Sequence, residues 1–139
     1  MYLLDTNVIS ELRKAKSGKA DKNVVAWAHG VSTEALFLSV ISVLELETGI
    51  LLVERRDPKQ AKLLRNWLGN QVLPAFAERI LVIDTAVALC CAKLHIPNPR
   101  PDRDALIAAT AITHGITLVT RNVGDFKHSG VELLNPWVT

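Results

Sequence analysis

Four carboxylates in this chain fall at or near the ends of apolar runs: Asp5, Glu45, Asp104 and Asp125. Asp5 closes the run Tyr2–Leu4 and is followed by Thr6 and Asn7. Ser42 and Glu45 follow the run Leu36–Ile41. Asp104 opens a helical stretch ahead of Thr117–Val119, and Asp125 comes after Thr120, Arg121 and Asn122. Carboxylates without His or Cys form an all-oxygen donor set that suits Mg2+ or Mn2+ over Zn2+. Like charges gathered at one place raise one another's pKa and cost stability unless a cation neutralises them. A cation so held lowers the pKa of a bound water, which can then attack a phosphodiester in line. Thr6, Asn7 and Thr120 are short neutral hydrogen-bonders suited to holding such a water or a phosphate.

Each residue also has a plainer use. Asp5 stands where an N-cap would stand at a strand-to-helix turn. Ser42 and Glu45 have the spacing of a capping box. Asp102 or Asp104 could cap the helix they open, Asp125 could begin a turn before Phe126, and Thr6, Asn7 and Thr120 could satisfy turn backbone. Capping explains each acid separately but gives no reason for four of them to converge, so convergence decides between the readings. Asp84-Thr85 imitates Asp5-Thr6, yet Ala86 stands where Asn7 stood, and helix capping is the expected role of Asp84. Glu47 lies two positions past Glu45, about 200° around a helix, and is expected to face solvent or a partner.

The elements that must position these groups follow from apolar patterning. Tyr2–Leu4, Leu36–Ile41, Ile80–Ile83 and Thr117–Val119 are short and apolar throughout, as buried parallel strands are, with a weaker fifth at Val131–Leu134. Helical spacing fills the gaps. Val8, Ile9 and Leu12 form one stripe, a second helix covers about Val24 to Ala28, and Val43 to Leu51 supports a longer one. Pro58 opens a helix that carries Leu63 to Val72, and Thr85–His95 and Asp104–His114 follow, the last closed by Gly115. The basic stretch Arg13–Lys22 is expected to be a mobile loop. Strands alternating with helices in this order predict a three-layer α/β sandwich, its mostly parallel sheet of four to five strands flanked by helices. Ligands of such sheets bind outside the carboxyl ends of the strands, where the acids fall.

Composition bounds the rest. The 139 residues are expected to form a single domain, and 49% hydrophobic with 22% charged residues excludes a disordered chain. Sixteen basic and fourteen acidic residues leave a formal charge of +2, so nucleic-acid contact would need a local basic patch. Arg100, Arg103 and Arg121 lie nearest the proposed site; Arg13, Lys14, Lys16, Lys19 and Lys22 form a second cluster. With few aromatic residues and no aromatic RNA-binding motif, any RNA is expected to be selected by shape rather than by stacking, and Trp27, Trp67 and Trp137 read as core or interface residues. Cys90 and Cys91 are adjacent and unmatched, which encodes no disulfide framework. No His has zinc spacing, no signal peptide is legible, and no apolar run approaches the roughly 20 residues of a membrane span, so a cytoplasmic protein without membrane contact is expected. Leu46, Ile50, Leu51, Leu52 and Val53 crowd more than one face of their helix, leaving a face for a partner or for burial in the monomer.

Taken together, Leu3-Leu-Asp-Thr-Asn7, Ile41-Ser-Val-Leu-Glu-Leu-Glu-Thr-Gly49, Asp104-Ala-Leu-Ile-Ala-Ala-Thr-Ala111 and Leu118-Val-Thr-Arg-Asn122 with Asp125-Phe126 resemble the PIN-domain ribonucleases. Within that family the likeness is to the VapC-type and FitB-like toxins of type II toxin–antitoxin systems. The resemblance implies a PIN-like fold and catalytic, metal-holding acids at Asp5, Glu45, Asp104 and Asp125, with supporting polar positions at Asn7 and Thr120. It also implies Mg2+- or Mn2+-dependent cleavage of RNA phosphodiesters, a homodimer, and a small antitoxin that blocks the site, with a higher-order complex of toxin and antitoxin as a further possibility. Asp102 competes with Asp104 for the acidic position, and the block from Asp104 onward favours Asp104, leaving Asp102 as the cap. Two rival readings stand beside this one. A phosphoacceptor receiver domain would be phosphorylated on Asp84, and an interaction module would bind a partner without catalysis.

Overall fold

The computed structural model describes residues 1–138. Five parallel strands form one sheet in the order β3-β2-β1-β4-β5, with β1 Tyr2–Leu4, β2 Leu36–Ser39, β3 Ile80–Leu81, β4 Thr117–Val119 and β5 Leu133–Leu134. Between and around them run α1 Thr6–Arg13, α2 Lys22–His29, α3 Val40–Glu54, α4 Pro58–Trp67, α5 Leu73–Ala75, α6 Thr85–Leu94 and α7 Asp102–His114. Because β1 is central, the chain builds outward on one side through β2 and β3. It then returns through α6 and α7 to lay β4 and β5 on the other side. The strand order therefore reverses between β1 and β4, the place where parallel sheets open a binding crevice.

The pleat sorts the core. Leu3 and Leu118, paired in register across β1 and β4, share a cluster with Ile107, Ala108 and Ala111 of α7 and with Phe126. Leu4 and Val119, paired one residue on, turn to the opposite face and meet Val8, Ile9, Leu46, Ile50 and Ala61 of α1, α3 and α4. Adjacent strand residues thus feed two helical layers, and the expected α/β sandwich follows from this alternation. Small residues bring α6 and α7 together, with Ala105 and Ala109 against Val87 and Cys91.

Several boundaries differ from the sequence reading. β2 ends at Ser39, two residues before the expected end, because the Ser39 hydroxyl accepts from the Ile41 N–H at 3.0 Å and starts α3 there. Ser42 is therefore inside the helix, and the expected capping box with Glu45 does not form. α7 begins at Asp102 rather than Asp104, with Pro101 at its N-cap and no side-chain cap, so Asp102 is a first-turn residue and not the cap. Arg13–Lys22 contains structure as well: a 3-10 turn at Ala15–Ser17, closed by Gly18 at φ 75°, a left-handed conformation that suits glycine. The helix opened by Pro58 gives way to a π-turn at Leu68–Val72, where Gly69 and Asn70 are weak helix formers and the following Pro74 carries no N–H. Among the described residues no helix is long and apolar enough to cross a membrane.

Candidate active site

Asp5 begins where β1 stops. Its backbone N–H continues the ladder to the Val119 carbonyl at 2.8 Å, and its side chain caps α1 by accepting from the Thr6 N–H at 2.8 Å. The second carboxylate oxygen accepts from the Thr120 hydroxyl at 2.8 Å, across the gap between β1 and β4. Thr120 is fully buried, and its oxygen also accepts from the Asn122 N–H at 3.0 Å. Asn7 lies between them, with its amide 3.5 Å from both Asp5 and Thr120, and its own oxygen accepts from the Arg121 N–H at 3.4 Å. Asp5 is thus a cap and a member of a buried polar network at once, and only 7% of it is exposed.

Glu45 reaches this network from α3. The Thr6 hydroxyl donates to Glu45 Oε1 at 2.6 Å and bonds with Ser42 Oγ at 2.9 Å, so one short side chain ties α1 to α3. Arg103 of α7 stands 4.0 Å from the other Glu45 oxygen. Asp5, Glu45 and Asp104 all line one open cleft of about 580 Å3, together with Thr6, Asn7, Ser10, Glu11, Arg13, Lys14, Arg121, Asn122 and Trp137. Asp125, exposed on a 3-10 turn at Val123–Asp125, is outside the lining but close enough for its charge to act on Asp104. The sheet thus brings three of the four predicted acids to one cleft and the fourth beside it.

The electrostatics follow from this crowding. Burial raises the Asp5 carboxyl above its ordinary value. The hydroxyl of Thr120 and the N–H of Thr6 oppose that rise, and the charges of Glu45 and Asp104 add to it. Burial also raises Asp104, followed by the charges of Asp125 and Glu45, with His128 acting in the opposite sense. For Asp5 and Asp104, then, neighbouring carboxylates add to what burial does. Among the described residues no three acidic, His or Cys side chains form a ready-made cation cage. The donor set is nonetheless all oxygen, with strained charge a divalent cation would relieve, so the residues fit Mg2+ or Mn2+ in chemistry.

Of the arginines singled out, Arg121 lines the cleft and Arg103 borders it through Glu45. Arg100 does not line the cleft: its backbone N–H donates to His95 Nδ1 at 3.1 Å, and its buried Nε has no partner among the described residues. Ser10, Glu11 and Trp137 were not anticipated. Asn7, Ser10, Glu11 and Lys14 recur at helical spacing opposite Val8, Ile9 and Leu12, a polar stripe that the sequence did contain. Glu11 accepts from the Asp21 N–H at 2.7 Å and pairs with Lys14 at 3.0 Å, which hold its carboxyl below the usual range. The look-alike acids separate cleanly. Asp84 caps α6 through the Val87 N–H at 3.0 Å, which leaves the receiver reading without a phosphoacceptor in the cleft. Glu47 points away and forms a two-pronged pair with Arg65 at 2.9 and 3.0 Å. Asp102 is exposed, 3.7 Å from His95.

The fold is a parallel α/β sheet with carboxylates gathered in the cleft at its strand-order reversal, and comparison with known proteins specifies the family. The PIN domain family matches residues 2–130, and the chain belongs to that family. It is 37% identical over 142 residues to the VapC ribonuclease Y4jK of Sinorhizobium fredii, covering 99% of this chain and 98% of that one. It is likewise 37% identical over 142 residues to Toxin FitB of Neisseria gonorrhoeae, covering 99% of each chain. The crystal structure of FitAcB from Neisseria gonorrhoeae superposes with a TM-score of 0.89 at 37% identity over 100% of both chains. A structure of FitAB bound to an IR36 DNA fragment gives 0.88 at 35% identity, covering 100% of this chain and 97% of that one.

Proposed function

We propose that this protein is a metal-dependent endoribonuclease and the toxin of a toxin–antitoxin pair. The observation that carries the reading is the meeting of Asp5, Glu45 and Asp104 in one cleft at the reversal between β1 and β4, with Asp125 adding its charge from the side. Whole-length likeness to proteins named VapC ribonuclease and Toxin FitB supports the substrate and the biological role. Asp5, Glu45, Asp104 and Asp125 would hold Mg2+ or Mn2+, and the bound cation would supply an activated water and charge neutralisation at the phosphate. Thr120 and the Thr6 N–H hold the Asp5 carboxylate in one orientation. The Thr6 hydroxyl does the same for Glu45. One of these carboxylates would also orient or deprotonate the attacking water. Arg121 and Lys14 at the cleft wall offset the charge of the incoming backbone.

The partners follow from the same reading. Leu44, Leu51 and Leu52 of α3 and Leu63 of α4 stay exposed. These side chains offer apolar surface to a small antitoxin or to a second copy of the chain, and the toxin–antitoxin complexes among its structural relatives support such partners. The test is cleavage of single-stranded RNA by purified protein with added Mg2+ or Mn2+. Activity is expected with either cation, to vanish in EDTA, and to fall by about 1,000-fold or more in Asp5→Asn and Glu45→Gln. Undiminished cleavage in EDTA, or in Asp5→Asn, would remove the assignment.

A further inference from the structure

We infer that Arg121 and Trp137 form a nucleotide subsite in which an unpaired base of the RNA stacks against the indole and the adjoining phosphate meets the guanidinium. The inference rests on reading the cleft as an RNA site and adds to it the recognition of a single splayed nucleotide. Trp137 enters the cleft because β5 is parallel to β1 and β4, so the residues after Leu134 emerge on the rim that holds Asp5 and Thr120. Its main chain is fixed at both polar groups: the N–H donates to Asn135 Oδ1 at 2.9 Å and the carbonyl accepts from Asn23 Nδ2 at 2.8 Å. The ring is half-buried, packed in part on the core, and so is held in place without being sealed from the cleft. Arg121 stands over it, Cζ 5.2 Å from the ring centroid.

Of the other cleft cations, Lys14 pairs with Glu11, and Arg13 stands 5.9 Å from the ring of Trp67, which does not line the cleft. The Arg121 guanidinium makes no hydrogen bond to protein among the described residues, and the side chain is exposed. Stacked on an aromatic ring, it is preorganised in plane and retains its donors for a phosphate. The cleft thus has two chemistries side by side, carboxylates at Asp5, Glu45 and Asp104 and an aromatic–cation pair at Trp137 and Arg121. A nucleotide has the complementary parts, a flat base and an anionic phosphate, and a base can reach a side-chain ring only where it is unpaired. A single ring gives recognition of one base, which refines the expectation that shape alone selects the RNA.

The test measures binding by fluorescence anisotropy in EDTA, so that no cleavage intervenes. The probes are a labelled single-stranded oligoribonucleotide of about ten nucleotides and an abasic strand of equal length. Trp137→Ala is expected to weaken binding of the RNA about tenfold and to leave the abasic strand unchanged, while Trp137→Phe stays within about twofold of wild type. Arg121→Ala is expected to weaken both probes and to reduce the slope of log K against log salt by about 0.7. Circular dichroism screens each variant for folding, and Trp137→Met, without a ring, is read in place of an unfolded alanine variant. Equal effects of Trp137→Ala on the two probes, no effect on either, or an unchanged salt slope in Arg121→Ala overturns the subsite. Divalent-cation cleavage that ignores Trp137 also overturns the subsite while sparing the nuclease reading. Base-dependent binding by a protein that cleaves RNA with no cation does the reverse.

Discussion

Both oxygens of the Asp5 carboxylate accept a hydrogen bond within the protein itself, one from the Thr6 N–H and one from the Thr120 hydroxyl. These bonds partly offset the burial that pushes its proton affinity up. Replacing Thr120 by Val removes one donor inside a buried network, and a destabilisation of about 1–3 kcal/mol is expected by denaturant unfolding. The acidic limb of the pH–activity profile is expected to move to higher pH, because Asp5 then holds its proton more tightly. Asp104 gives the complementary prediction. Its folded pKa lies above the unfolded value, so the folded state binds more protons and stability falls as pH rises from about 4 through the folded pKa. Asp104→Asn removes that dependence. In chelator, its Tm should exceed that of wild type by about 1–3 °C near pH 7 and converge with it below pH about 4, with screening by solvent keeping the difference small.

At the scale of elements, the starts of helices decide which acids serve structure alone. The Asp84 side chain caps α6 through the Val87 N–H and does not line the cleft, so Asp84→Ala is expected to cost about 1 kcal/mol in urea unfolding and to leave cleavage of RNA unaltered, unlike Asp5→Asn. That contrast between two Asp-Thr pairs was legible in the sequence through Ala86. The strands were legible too, since uniformly apolar runs such as Thr117–Val119 are what burial on both faces requires. What local pattern missed was set by competition among neighbours. Ser39 and Ser42 are both credible caps, and the bond from Ser39 to the Ile41 N–H wins, freeing Ser42 for Thr6 and Glu45 for the cleft. Pro101 similarly starts α7 ahead of both aspartates. The place of Trp137 depends on the direction of β5, a weak two-residue strand whose pairing with β4 no local periodicity could announce.

For the molecule as a whole, the acids concentrate negative charge that the proposed divalent cation would offset. A divalent cation that binds only the folded chain raises its stability by mass action, about 2.7 kcal/mol at a hundredfold excess over Kd. Mn2+ is therefore expected to raise the Tm of the wild-type protein by about 5–10 °C at that excess and to leave Asp5→Asn nearly unmoved, as measured by calorimetry. This readout is independent of RNA.

The bond between Asp5 and Thr120 joins residues 115 positions apart, and Asp104 also follows most of the chain. During synthesis the first strand therefore waits for the last quarter of the polypeptide before its carboxylate has a neighbour across the gap. On the proposed nuclease reading, a chain cut short before Asp104 and Thr120 carries Asp5 and Glu45 but not the assembled acid cluster, so activity waits for nearly complete synthesis.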